Sequence, residues 1–217
     1  MKVRALPPIV FAVSCLALLA APSTFAQVVY DNGPANGNVS SWEINGAPSI
    51  TDSFTISGGP KTVGGLSFEA WLSPDDTLES AEVIFSSIPF GGQIYYDQQI
   101  SFTQSNCQMN GHGFQVCLET GMLTGTLPVL NDGTYWLTID EAVSNHQDEA
   151  VYWDENSGVG CSSPGCPSQA FLGAGTIPSE AFTLVGAPGS GTVPEPSSLL
   201  LFGSGLASLV GISRRKR

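Results

Sequence analysis

Basic side chains are the scarcest feature of this sequence. Between residues 27 and 192 there is no arginine and one lysine, Lys61, against eighteen aspartates and glutamates, a formal charge of −17. Such a surface repels phosphate backbones and anionic headgroups, which excludes nucleic acid as a partner and leaves divalent cations or neutral polymers such as glycans. Helical periodicity is missing from the same stretch, so an α-helical fold is excluded as well. Histidine is limited to His112 and His146, each in a polar, loop-like setting. No Gly-x-Ser-x-Gly elbow, His-Glu-x-x-His pair or phosphate-cradling glycine loop occurs, which removes the enzyme classes those motifs announce.

What the middle lacks, the two ends have. Lys2 and Arg4 precede an apolar run from Ile9 to Ala21, and Thr24-Phe25-Ala26 places small residues where a signal peptidase reads them. Residues 1–26 therefore read as a signal peptide cut between Ala26 and Gln27, with signal peptidase as a transient partner. At the other end, Pro194-Glu195-Pro196 is followed by an uncharged stretch, 197–213, and then by Arg214, Arg215, Lys216 and Arg217. A bilayer takes about 20 apolar residues, with a lower limit near 17, so 197–213 is a marginal transmembrane span. The basic cluster stays on the cytoplasmic side, which puts the acidic stretch across the membrane.

This three-part tail, residues 193–217, resembles the PEP-CTERM protein-sorting signal. The resemblance implies recognition by an exosortase-type membrane protease, an inner-membrane-anchored precursor, and a mature form at the cell surface or in the extracellular polymer. It describes delivery, and the delivered domain has to be read from its own residues.

Residues 27–186 form one domain's worth of chain, and 187–192 a flexible glycine- and serine-rich linker. The domain switches about every ten residues between β-rich runs and turn formers such as Asp31-Asn32-Gly33-Pro34, Gly58-Gly59-Pro60 and Asn131-Asp132-Gly133. Leu66, Phe68 and Ala70 share one strand face, as do Tyr135, Leu137 and Ile139, and Phe182 and Leu184. The pattern predicts an all-β fold, a single antiparallel β-sandwich of jelly-roll or immunoglobulin-like kind, between the signal peptide and the C-terminal transmembrane tail.

Four cysteines remain in the exported part: Cys107, Cys117, Cys161 and Cys166. An oxidising compartment favours disulfides; of the three pairings, the nearest-neighbour one suits the two short loops best. A zinc site built on Cys107, His112 and Cys117 has the wrong spacing for a zinc knuckle. Clustered oxygen donors at Asp148, Glu149, Asp154 and Glu155 are a candidate calcium site, and calcium is the only cofactor the sequence suggests. Alternation puts Trp71, Tyr95 and Trp136 opposite their strands' apolar sets, where rings could stack on a glycan such as exopolysaccharide. The acid pairs Asp75-Asp76, Asp140-Glu141, Asp148-Glu149 and Asp154-Glu155 would be needed for glycoside hydrolysis, but sequence neighbours on a strand point to opposite faces. The expected function is that of an exported, non-enzymatic surface or matrix protein. The alternatives are a carbohydrate-binding module and, behind it, a secreted glycoside hydrolase.

Overall fold

A computed structural model describes residues 27–38, 40–46, 49–146, 149–156, 168–170 and 175–188. Residues 1–26, expected to be a signal peptide, Cys161, Cys166, Asp148 and the sorting tail lie outside the described residues. Within them the fold is all-β and antiparallel, and no helix is long and apolar enough to cross a membrane.

The strands are β1 (Val28–Asp31), β2 (Ser41–Glu43), β3 (Ile50–Ile56), β4 (Lys61–Leu72), β5 (Leu78–Ile88), β6 (Gly91–Met109) and β7 (Gln115–Met122). They continue with β8 (Val129–Leu130), β9 (Gly133–Ser144), β10 (Tyr152–Asp154), β11 (Ser168–Ala170), β12 (Gly175–Ile177) and β13 (Phe182–Gly186). The sheet runs in the order β1-β13-β4-β7-β6-β5-β9-β3-β11-β12. One edge of β4 takes β13, with Leu66 opposite Leu184, and then β10, with Trp71 opposite Tyr152; the other edge takes β7.

The corner is β6, 19 residues long. Its first part pairs with β5 and its second with β7, so one strand belongs to both halves of the sheet. The sheet curls around this strand into a nearly closed barrel shape, and its far reaches meet again: Phe54 on β3 lies 5.7 Å from Tyr30 on β1 and 6.2 Å from Phe182 on β13.

Period-two alternation fills the interior. Leu66, Phe68, Ala70 and Leu72 of β4, Ala81, Val83 and Phe85 of β5, and Tyr135, Leu137 and Ile139 of β9 all join the core with Trp153. A fully buried large side chain contributes about 1.5–3 kcal/mol, so these inward faces dominate the favourable side of folding. Gly121 is required by packing: a Cβ there would sit 2.7 Å from the Phe102 ring and 2.9 Å from Ile100.

The sequence suggests that one strand ends at Leu118 and another begins at Leu123. The chain instead runs a single strand through Glu119, Thr120 and Gly121. Cys117, Glu119 and Gly121 alternate inward, so a glutamate occupies an interior position with no exposed surface. Neither Glu119 carboxylate oxygen has a hydrogen-bond partner among the described residues, and burial pushes its pKa up to about 8. Burial thus favours the protonated, uncharged form in the core, and the strand stays continuous through its unbroken pairing with β4.

Candidate functional site

The outer face of β4 and β7 is where the chain builds a concave surface. Segment 33–38 leaves β1 and lies across this face, held from beneath by Asp154 at the end of β10. Asp154 Oδ2 accepts from the Asn36 N–H (2.9 Å) and the Gly37 N–H (2.8 Å), while Oδ1 accepts from Trp71 Nε1 (2.8 Å). Gly37 has φ +66°, a left-handed conformation that lets two successive amides aim at one carboxylate. The Asn36 side chain donates to the Glu155 carbonyl at 2.7 Å, and Trp42 Nε1 donates to Glu155 Oε1 at 3.0 Å. Burial raises the Asp154 pKa to about 6, against the opposing pull of Gly37, Trp71 and Asn36, and nearby Glu69 adds to the rise. Burial also raises Glu69 itself.

The opposite lip is the turn between β6 and β7. Asn110 Oδ1 accepts from the His112 N–H (2.9 Å) and the Phe114 N–H (3.0 Å), which curls the turn back over the sheet. The His112 ring lies nearly parallel to Trp71, 16° between planes and 5.7 Å between centroids, and its Nε2 meets the Asn38 carbonyl at 2.9 Å. The two lips are thereby joined. Between them is a cavity of about 250 Å³ lined by Ala35, Asn38, Glu69, Asn106, Gln108 and Asn110, with Met109 and Val116 as its apolar patches. A second cavity of about 250 Å³ lies on the other side of Ala35, and Glu69 reaches both.

Beyond this groove the chain continues past residue 188 into the Pro-Glu-Pro triplet, the uncharged stretch and the basic end. Residues 192–217 match the PEP-CTERM protein-sorting motif. A PEP-CTERM motif implies an exported protein, a membrane-anchored precursor and processing by an exosortase-type protease. The PEP-CTERM match covers the tail alone and leaves the groove-bearing domain to be interpreted from its geometry. Comparison with curated proteins and with solved structures finds no match.

Ahead of the PEP-CTERM motif, those of the residues singled out from sequence that are described are dispersed. Trp71 lies off the core on the outer face, but His112 and Phe114 cover it and leave it 5% exposed. Tyr95 is half-buried, edge-on to Tyr135 at 5.1 Å. Trp136 is half-buried on β9, opposite Ser53 and Ser86. The groove holds neither of those two rings.

Of the calcium candidates, Asp148 lies outside the described residues, and Glu149, Asp154 and Glu155 form no shared cation site among the described residues. Glu149 is exposed and accepts from Ser73 Oγ at 2.8 Å, and both Asp154 oxygens are occupied by the 33–38 segment and Trp71. Among the described residues no group of three or more His, Cys, Asp or Glu side chains could hold a metal ion. Cys107 and Cys117 Sγ atoms are placed 2.16 Å apart, with Cα atoms 4.1 Å apart. Of the acid pairs, Asp75 is exposed while Asp76 is buried and bonded to His146 Nδ1. Asp140 accepts from Ser49 Oγ on the outer face of β9. There Asp97, Glu141 and Asp140, after burial, raise the pKa of Glu82.

Sequence reasoning missed the 33–38 segment as a wall, Asp154 as its anchor, and Glu69 as a floor. The Asn36-Gly37 dipeptide was the available signal, since Asn-Gly favours a tight, left-handed turn.

Proposed function

We propose that this is an exported, non-enzymatic protein of the cell surface or extracellular matrix, an acidic β-sandwich of jelly-roll or immunoglobulin-like kind delivered by its C-terminal tail. The observation that carries the reading is the PEP-CTERM motif at residues 192–217. In this reading signal peptidase cuts between Ala26 and Gln27, residues 197–213 span the inner membrane, and Arg214, Arg215, Lys216 and Arg217 stay cytoplasmic. The exosortase-type protease then acts near Pro194, Glu195 and Pro196. Cross-links Cys107–Cys117 and Cys161–Cys166 pin two loops outside the cell. The non-enzymatic assignment is supported by two of the buried acids, Asp52 and Asp154, which are engaged by donors from the domain itself.

The mass of the protein recovered from the cell exterior tests this. We expect a species beginning at Gln27, ending near Pro196, and short of two hydrogens for every disulfide. A glycan platform made of Trp71, Tyr95 and Trp136 has less support, because Trp71 is covered. A hydrolase would draw on Glu82, Asp97 and Asp140 and would release reducing ends from a polysaccharide, a readout on which the non-enzymatic reading predicts nothing above buffer.

A further inference from the structure

The groove over β4 and β7 contains hydrogen-bonding capacity that the fold does not use. Asn110 spends its oxygen on two backbone amides, while its Nδ2 is buried with no partner. Buried polar groups left unpaired in this way are uncommon, and a ligand is one of their explanations. Asn106 and Gln108 line the same cavity and make no side-chain hydrogen bond among the described residues, nor does the half-buried Glu69 carboxyl. Asn106 sits at φ +53° in the irregular stretch between Ser105 and Gln108, where the β6–β7 register shifts. A bulge of this kind re-aims a side chain that regular pairing would direct elsewhere.

We propose that the groove binds a neutral, hydroxyl-rich chain, a glycan, through Glu69, Asn106, Gln108 and Asn110. Two uncommitted amides, a carboxyl and a spare N–H form a mixed set of donors and acceptors, and sugar hydroxyls are groups that do both. Met109, 58% exposed, and Val116 supply the small apolar contacts that a sugar's C–H faces require. The charge balance selects against anions: the single lysine between residues 27 and 192, Lys61, lies eight residues along β4 from Glu69, about 26 Å at 3.3 Å per residue. Uronate or phosphate polymers would meet the Glu69 carboxyl and find no lysine or arginine among the lining residues. The two cavities on either side of Ala35 give a track longer than one ring, which suits a polymer better than a monosaccharide.

The groove is also pre-set. Asp154 fixes one lip and the Asn110 turn the other, with His112 linking them, so little ordering remains to be done when a ligand arrives. This inference stands independently of how the chain is delivered, because it rests on the groove alone.

The test uses the full-length chain in detergent, with biolayer interferometry against immobilised dextran, soluble β-glucan, xylan and galactomannan. Alginate is the anionic arm and an unstructured peptide pool the protein arm. We expect binding to at least one neutral polymer and none to alginate. Gln108→Ala, at an exposed position, and Asn106→Gly, which removes the amide and keeps the left-handed backbone, should each weaken binding tenfold or more. Gln93→Ala, an exposed amide outside the groove, should change nothing, and thermal melting of all three variants should track the parent. Failure on every neutral polymer overturns the proposal. So do unchanged binding by the Asn106→Gly/Gln108→Ala double variant and binding confined to alginate or to the peptide pool.

Discussion

Replacing Glu119 by glutamine should leave the domain's stability nearly unchanged in mild acid and raise it steeply in alkali. Glu119 has no exposed surface, its two oxygens are unpartnered, and its pKa is pushed from 4.5 to about 8 by burial. The folded state therefore holds this proton more tightly than the unfolded chain does. The stability it confers is fully present below the unfolded value and is lost as pH rises through the folded one. Between pH 5 and pH 9 the loss amounts to on the order of 4 kcal/mol, at 1.36 kcal/mol for each pH unit over which the two states differ by one proton. Glutamine has the same shape and no charge to release, so that variant should lack this component. Urea titrations at pH 5, 7 and 9 measure it directly, as the difference between parent and Glu119→Gln. The other buried acids titrate in both proteins and cancel. A gap that stays within about 0.5 kcal/mol across the series would refute the reasoning and mean that water reaches the carboxylate.

Three further outcomes are expected. Gly121→Ala places a Cβ against Phe102 and Ile100, and overpacking of this kind costs about 1–3 kcal/mol, to be read from the urea midpoint at unchanged slope. Asp154→Ala removes the acceptor shared by Asn36 and Gly37, so hydrogen exchange at those two amides should accelerate at least tenfold while the β5 and β9 amides keep their protection. The non-reduced protein should give no alkylation at Cys107 or Cys117, and reduction should cost on the order of 2–3 kcal/mol, the range for a loop this short.

The inward faces were legible because they obey one rule: strands with one buried side alternate. Leu66, Phe68 and Ala70, or Tyr135, Leu137 and Ile139, announce themselves without knowledge of their partners. The same rule applies to Cys117, Glu119 and Gly121, but a carboxylate and a glycine in the sequence resemble a turn. Only the surroundings show that the acid is neutral and that the glycine makes room for Phe102. The groove was less legible because it depends on contacts between distant parts of the chain. Asp154 meets Asn36 and Gly37 across more than a hundred residues, and the turn that covers Trp71 lies some forty residues beyond it. Alternation placed Trp71 on the outer face, and nothing local to β4 reveals what covers that face.

The long strand β6 ties these parts together. Since its leading portion completes one half of the barrel and its trailing portion the other, neither half owns a full set of hydrogen bonds without it. Melting should accordingly be all-or-none, with no stage at which the glycan groove survives while the opposite wall has come apart. Load applied at the groove's rim would pass along a single extended backbone into the far side of the molecule.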